Sequence, residues 1–180
     1  LLKGREISKV TYTRRIIQWD DVLESGRKTT WQDPQIDAVN DIALLQYTGG
    51  TTGVPKGAML THANITANVQ QCSLWFQDMK PGQMRMLGVW PFFHVFAMTA
   101  IMNLSVLNGL EIIALPRFDL TDTLKAIQKK KPHLFPAVPA IYSAINNAPK
   151  TKKFDLSSLK YCISGGAPLP VEVKKNFEAM

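Results

Sequence analysis

Eleven consecutive residues carry the densest chemistry in the chain: Tyr47-Thr48-Gly49-Gly50-Thr51-Thr52-Gly53-Val54-Pro55-Lys56-Gly57. Four glycines allow positive φ and a close approach of the backbone to a ligand. Successive amides can then point inward as an anion-binding nest. The hydroxyls of Thr48, Thr51 and Thr52 and the ammonium of Lys56 add further donors. A triphosphate, with many oxygens to satisfy, suits such a set. A plain turn between two strands is the alternative, but a turn seldom needs this combination. Two common nucleotide patterns do not fit. The G-x-x-x-x-G-K-[ST] loop requires Gly directly before Lys, whereas Pro55 precedes Lys56 and Gly57 follows it. G-x-G-x-x-G fails as well, because Thr48 stands where its first glycine would fall if Gly50 and Gly53 were the others.

The flanking elements must hold this loop in place. Ile42 to Thr48 is a short apolar run ending at glycines and reads as a buried strand. Lys56 to Leu60 reads as a second strand, and Thr61 as the cap of a helix whose apolar positions run from Ile65 to Met79 before Pro81-Gly82. Strands are expected at Arg85–Trp90, Glu111–Leu115, His133–Val138 and Leu159–Ile163. Between them lie helices at Val95–Leu107, at Leu120–Ile127 with Pro132 as its stop, and after Pro139. A loop follows at Ser164–Pro168, and a last helix starts near Pro170. This alternation predicts an α/β fold of βαβ units around a parallel sheet. Ligands gather at the carboxyl ends of such strands, where both glycine-rich loops, Gly49–Gly53 and Gly165-Gly166, are expected. Before Ile42 the pattern is weak, with a strand or two at Ile7–Ile17, a helical turn at Asp20–Gly26 and a loop from Gly26 to Asp41.

Composition narrows the class. The chain has 180 residues, 46% of them hydrophobic, enough for one domain with a sizeable core. The net charge of +7 comes from scattered clusters, Lys129-Lys130-Lys131 among them, without interleaved aromatics. That argues against nucleic acid and leaves room for weak attraction to an anionic membrane surface. Cys72 and Cys162 read as buried thiols rather than a disulfide framework. Three histidines and two cysteines show no metal-ligand spacing, and His62 and His133 read as a helix start and a strand start. The longest apolar stretch, Val95 to Leu107, is shorter than the roughly 20 residues of a membrane helix. With no signal peptide, a cytoplasmic setting is expected, with the inner membrane face as a peripheral contact.

The segment YTGGTTGVPKGAMLTH closely resembles the phosphate loop of the adenylate-forming superfamily, which includes acyl-CoA synthetases, luciferases and peptide-synthetase adenylation domains. That family most often has Ser where this chain has Gly49. Gly at this place resembles the bacterial long-chain fatty acid-CoA ligases. Pro91-Phe92-Phe93-His94-Val95-Phe96-Ala97 resembles the family's second motif, and Ser164-Gly165-Gly166-Ala167-Pro168-Leu169 its third, in the expected order. The resemblance covers roughly 42–180, read as part of the large N-terminal AMP-binding domain. Residues 1–41 are read as a variable lead-in segment of the same domain.

The resemblance implies two steps, attack of a fatty carboxylate on MgATP to give acyl-AMP and then transfer to coenzyme A. It implies that Thr48, Gly49, Gly50, Thr51, Thr52, Gly53 and Lys56 embrace the β- and γ-phosphates. Gly165, Gly166, Ala167 and Pro168 would line the adenine pocket and acyl tunnel. A lone histidine among apolar residues is often only structural, but within this motif His94 is expected to position the carboxylate or the adenylate phosphate. Trp90, Phe92, Phe93, Phe96 and Met98 are tunnel candidates and equally core candidates. The apolar stretch around His94 favours a fatty or aromatic acid over an amino acid. An aryl-acid activator remains the alternative. The family's aromatic-Gly-x-Thr-Glu motif, its ribose-binding Asp and its small C-terminal domain with a catalytic Lys are expected beyond Met180. On that reading the isolated residues would be a binding module without turnover.

Overall fold

The structure, a computed structural model, describes residues 9–48 and 55–180. The chain divides into two units after Ile36. In the first, residues 9–18 are irregular and carry no strand, contrary to expectation. The apolar residues Val10, Ile16 and Ile17 are exposed and meet no partner strand among the described residues of that unit. Helix α1 (Trp19–Arg27) follows, with Asp20 and Asp21 in its first turn and Arg27 in its last, a charge order that suits the macrodipole.

The second unit begins with an antiparallel ladder of β1 (Ile42–Thr48) and β2 (Lys56–Thr61), in which Thr48 lies opposite Lys56. The ladder corrects the expectation of a buried strand, because Ile42, Leu45 and Tyr47 are exposed. An apolar run reports a tendency to be covered but does not fix the direction of its partner. The loop between β1 and β2 therefore joins antiparallel strands, so only the Gly165-Gly166 loop follows a strand of the parallel sheet. Thr61 then caps α2 (His62–Leu74) in a reciprocal box with Asn64.

The sheet proper has four parallel strands, β3 (Arg85–Gly88), β4 (Glu111–Ala114), β5 (Leu134–Ala137) and β6 (Tyr161–Ser164), in the spatial order β4-β3-β5-β6. Alternating side chains feed two core layers. Leu87, Phe135 and Ala137 face Leu124 and Ile127 of α5 (Leu120–Lys130) and Ile141, Tyr142 and Ile145 of α6 (Pro139–Asn147). Met86 and Leu134 face Ala97, Ile101 and Leu104 on the opposite side. The latter three belong to one continuous helical stretch: α3 (Val95–Ala97), a π-helical run (Met98–Asn103) and α4 (Leu104–Asn108). Gly109 ends it at φ 61°, a left-handed conformation that glycine adopts freely. A short 3-10 turn (Pro149–Lys153) and α7 (Val171–Glu178) complete the unit.

The strand order reverses direction at β3, whose neighbours β4 and β5 both follow it in sequence. In open parallel sheets the crevice at such a reversal, beyond the carboxyl ends, is where ligands bind. The Pro91–Ala97 motif starts there.

Candidate functional site

Beyond β3 the chain passes through Val89 and Trp90 to His94, the N-cap of α3. The His94 Nδ1 accepts from the Phe96 N–H at 3.3 Å. A nitrogen that accepts carries no proton, so in the neutral ring the proton sits on Nε2 and that atom donates. Trp90 meets the imidazole edge to face, with ring centroids 5.8 Å apart. Beside it, Trp90, Pro91 and Phe92 line a cavity of about 400 Å³ with Ala114, Leu115 and Pro116 at the end of β4.

Phe96 links this motif to the loop after β6. A Cβ built on Gly165 would lie 2.4 Å from its ring, so only glycine fits while Phe96 keeps its place. Gly166 takes φ +80°, again a glycine conformation. Ala167 and Pro168 follow on the surface. The base of this loop is pinned by Tyr142, which donates to the Phe135 carbonyl at 2.6 Å and lies 3.2 Å from that of Ile163, bridging β5 and β6. Burial drives the Tyr142 phenol well above its ordinary range, so it stays protonated. Its only sequence signal was a place on an apolar helix face. Trp90 was read merely as tunnel or core, since proximity through space is not written in spacing.

On the other side of Phe96 an apolar cleft of about 530 Å³ runs between α2 and the π-helical run, lined by Cys72, Phe76, Thr99 and Ala100 and closed by Ile163. Of the five tunnel candidates only Phe96 lines it. Trp90 and Phe92 belong to the β3–β4 cavity, Met98 is half-buried, and Phe93 is 84% exposed. The thiols are less buried than expected. Cys72 is half-buried in the cleft and Cys162 exposed on β6, although shielding of its sulfur raises that thiol to about 11. At an edge strand only one flank of the residue is covered.

Lys56 stands at the start of β2, opposite Thr48. Gly49, Gly50, Thr51, Thr52 and Gly53 lie outside the described residues. The structure therefore brings together His94, Phe96 and the Gly165-Gly166 loop. Among the described residues, no three His, Cys, Asp or Glu side chains gather as a metal site, and no helix is long and apolar enough to cross a membrane.

A family model described as AMP-binding enzyme matches residues 3–180. The long-chain-fatty-acid–CoA ligase of Bacillus subtilis is 56% identical over 145 residues, 81% of this chain and 26% of that protein. The 4-coumarate–CoA ligase 1 of Arabidopsis thaliana is 36% identical over 161 residues, 84% of this chain and 28% of that protein. Among solved structures, the inhibitor-bound N-terminal domain of FACL13 from Mycobacterium tuberculosis superposes with a TM-score of 0.71 at 30% identity, covering 89% of this chain and 40% of that one. The chain thus spans about a quarter of the length of the curated relatives it matches.

Proposed function

The chain belongs to the AMP-binding enzyme family, and from that premise we propose that it forms part of an AMP-forming ligase joining long-chain fatty acids to coenzyme A. The whole chain, residues 1–41 included, is assigned to the larger N-terminal domain of that enzyme. In the first step a carboxylate oxygen bonds to the α-phosphorus of ATP. The bond from that phosphorus to the bridging oxygen breaks, and pyrophosphate leaves with the electron pair. In the second step the thiol of coenzyme A, losing its proton, bonds to the acyl carbon, and AMP leaves.

The residues divide this work. Thr48 to Gly53 and Lys56 hold the β- and γ-phosphates in line and offset the charge gathering on pyrophosphate. Mg²⁺ bound to the triphosphate would share that neutralisation. The Nε2–H of His94 donates to the carboxylate, or to the adenylate phosphate once it forms. Gly165 to Pro168 present backbone to the nucleotide, with Gly165 seated against the Phe96 ring and Gly166 turning the loop at φ +80°. The acyl chain takes the apolar cleft. A cytoplasmic setting with weak contact to anionic membrane suits a substrate that partitions into lipid, and the net charge of +7 favours such contact.

The observation that carries this reading is the apolar cleft opening beside the Phe96–Gly165 contact. It sets an apolar site of about 530 Å³, lined by Val95 and Phe96, directly after His94 in the chain, the group proposed to hold the carboxylate. The 56% identity to a fatty acid ligase, against 36% to a coumarate ligase, supports the fatty over the aryl acid. Competition tests the choice. The longest natural chain containing these residues is given coenzyme A, ATP and equimolar palmitate and 4-coumarate. Palmitoyl thioester should dominate. Coumaroyl thioester in excess would make the aryl reading correct.

A further inference from the structure

We propose that Trp90 is a positioning residue for the reaction assigned above: wedged between both core layers, it presents its indole to the His94 imidazole and fixes that ring with Nδ1 on the α3 cap and Nε2–H as its donor. The inference rests on the role given to His94 under "Proposed function".

Three observations carry it. Trp90 packs against the buried clusters on both faces of the sheet, so its indole is held from two sides. Its ring meets that of His94 at 84° between planes, a geometry favoured between aromatic groups. His94 is exposed, and among the described residues its ring is tied by one 3.3 Å hydrogen bond from the Phe96 N–H. One long hydrogen bond leaves a ring free to flip about its side-chain torsion and exchange which nitrogen faces outward. A wall on the indole side removes that freedom.

The indole also bears a cost that a simple core residue would not. Its Nε1 is buried with no hydrogen-bond partner among the described residues, and a buried donor left unpaired is unfavourable. Leu would fill the core there without it, but would offer His94 no aromatic face. Trp90 is therefore poorly explained by packing alone, and it stands where the strand order reverses, at the crevice that serves ligands.

The test uses the longest natural chain, labelled with ¹⁵N-histidine, with His94→Gln identifying the His94 signal. The native chain should show the Nε2–H tautomer for the neutral His94 ring. Trp90→Met, which keeps bulk without a flat face, should give a mixed tautomer. It should also lower kcat for carboxylate-dependent pyrophosphate exchange by about tenfold to a hundredfold while KM for ATP holds. Trp90→Phe keeps an aromatic wall and should preserve both the tautomer and most of kcat, and it covers the case in which Trp90→Met folds poorly. A native tautomer and native kcat in Trp90→Met would overturn the proposal. So would Trp90→Phe as impaired as Trp90→Met, which would move the role to the indole N–H. Loss of exchange in His94→Ala with none in Trp90→Met overturns only the part given to Trp90. Full exchange in His94→Ala overturns the role of His94 and this inference with it.

Discussion

Gly165 has no room for a side chain while the Phe96 ring keeps its place 2.4 Å from where a Cβ would sit. Gly165→Val must push that ring toward the cleft. Phe96 is only half-buried, so the ring can yield, and the stability lost should be about 1 kcal/mol, the low end for overpacking. Thermal unfolding measures it. Use of long acyl chains should fall much further, and Phe96→Leu in the same chain should restore part of it. Equal activity in Gly165→Val and the native chain would show that the contact does not border the acyl path. At the phosphate loop, Lys56→Ala should raise KM for ATP by about tenfold to a hundredfold, the scale of one hydrogen bond to a charged group. An unchanged KM would remove Lys56 from the triphosphate site. The phosphate loop is a reading of residue types alone, because Gly49 to Gly53 lie outside the described residues. The pairs Trp90–His94 and Phe96–Gly165 were not legible in the sequence, because each is made by the path of the fold.

His133 shows how elements are tied together. Its Nδ1 accepts from the Arg85 N–H at 3.1 Å, its own N–H donates to the Arg85 carbonyl, and its carbonyl accepts from the N–H groups of Lys160 and Tyr161. It thus joins the amino ends of β3, β5 and β6. Burial first, then the charges of Lys160 and Arg85, hold its pKa below the ordinary 6.5. The unfolded chain therefore binds the proton more readily. Stability from this group is fully present above about 6.5 and is lost as pH falls through the lower folded value. The urea midpoint should decline across that window, and His133→Asn, which keeps an acceptor, should flatten the decline. A slope unchanged in His133→Asn would assign the pH dependence elsewhere. At α2, Thr61→Ala removes one arm of the capping box and should lower stability by about 1 kcal/mol, read from the same titration.

Such helix starts were visible in sequence at Thr61 and Pro139 because they are local. The end of α2 was not. Apolar spacing continues to Phe76 and Met79, which pack on the core, yet the helix closes at Leu74, where the Trp75 and Phe76 N–H groups turn back to Cys72 and Ser73. Apolar period reports core contact, not helical hydrogen bonding. The π-helical run left no trace for the same reason, since the core face of the whole helical stretch, Ala97, Ile101 and Leu104, keeps ordinary α spacing.

At the scale of the whole unit, alternating strands and helices were enough to predict the parallel sheet, and each crossover carries a helix as expected. The strand order, with its reversal at β3, was not legible, because spacing does not say on which side of β3 the next strand settles. That order sets the second motif at the crevice, and the path after β6 brings the third against Phe96. The central claim is that this arrangement serves adenylation. The most direct test is fatty-acid-dependent exchange of labelled pyrophosphate into ATP by the longest natural chain containing these residues, with coenzyme A left out. The account predicts exchange that requires the fatty acid, with AMP as the nucleotide product once coenzyme A is added. No exchange with any carboxylic acid, or ADP as the product, would contradict it.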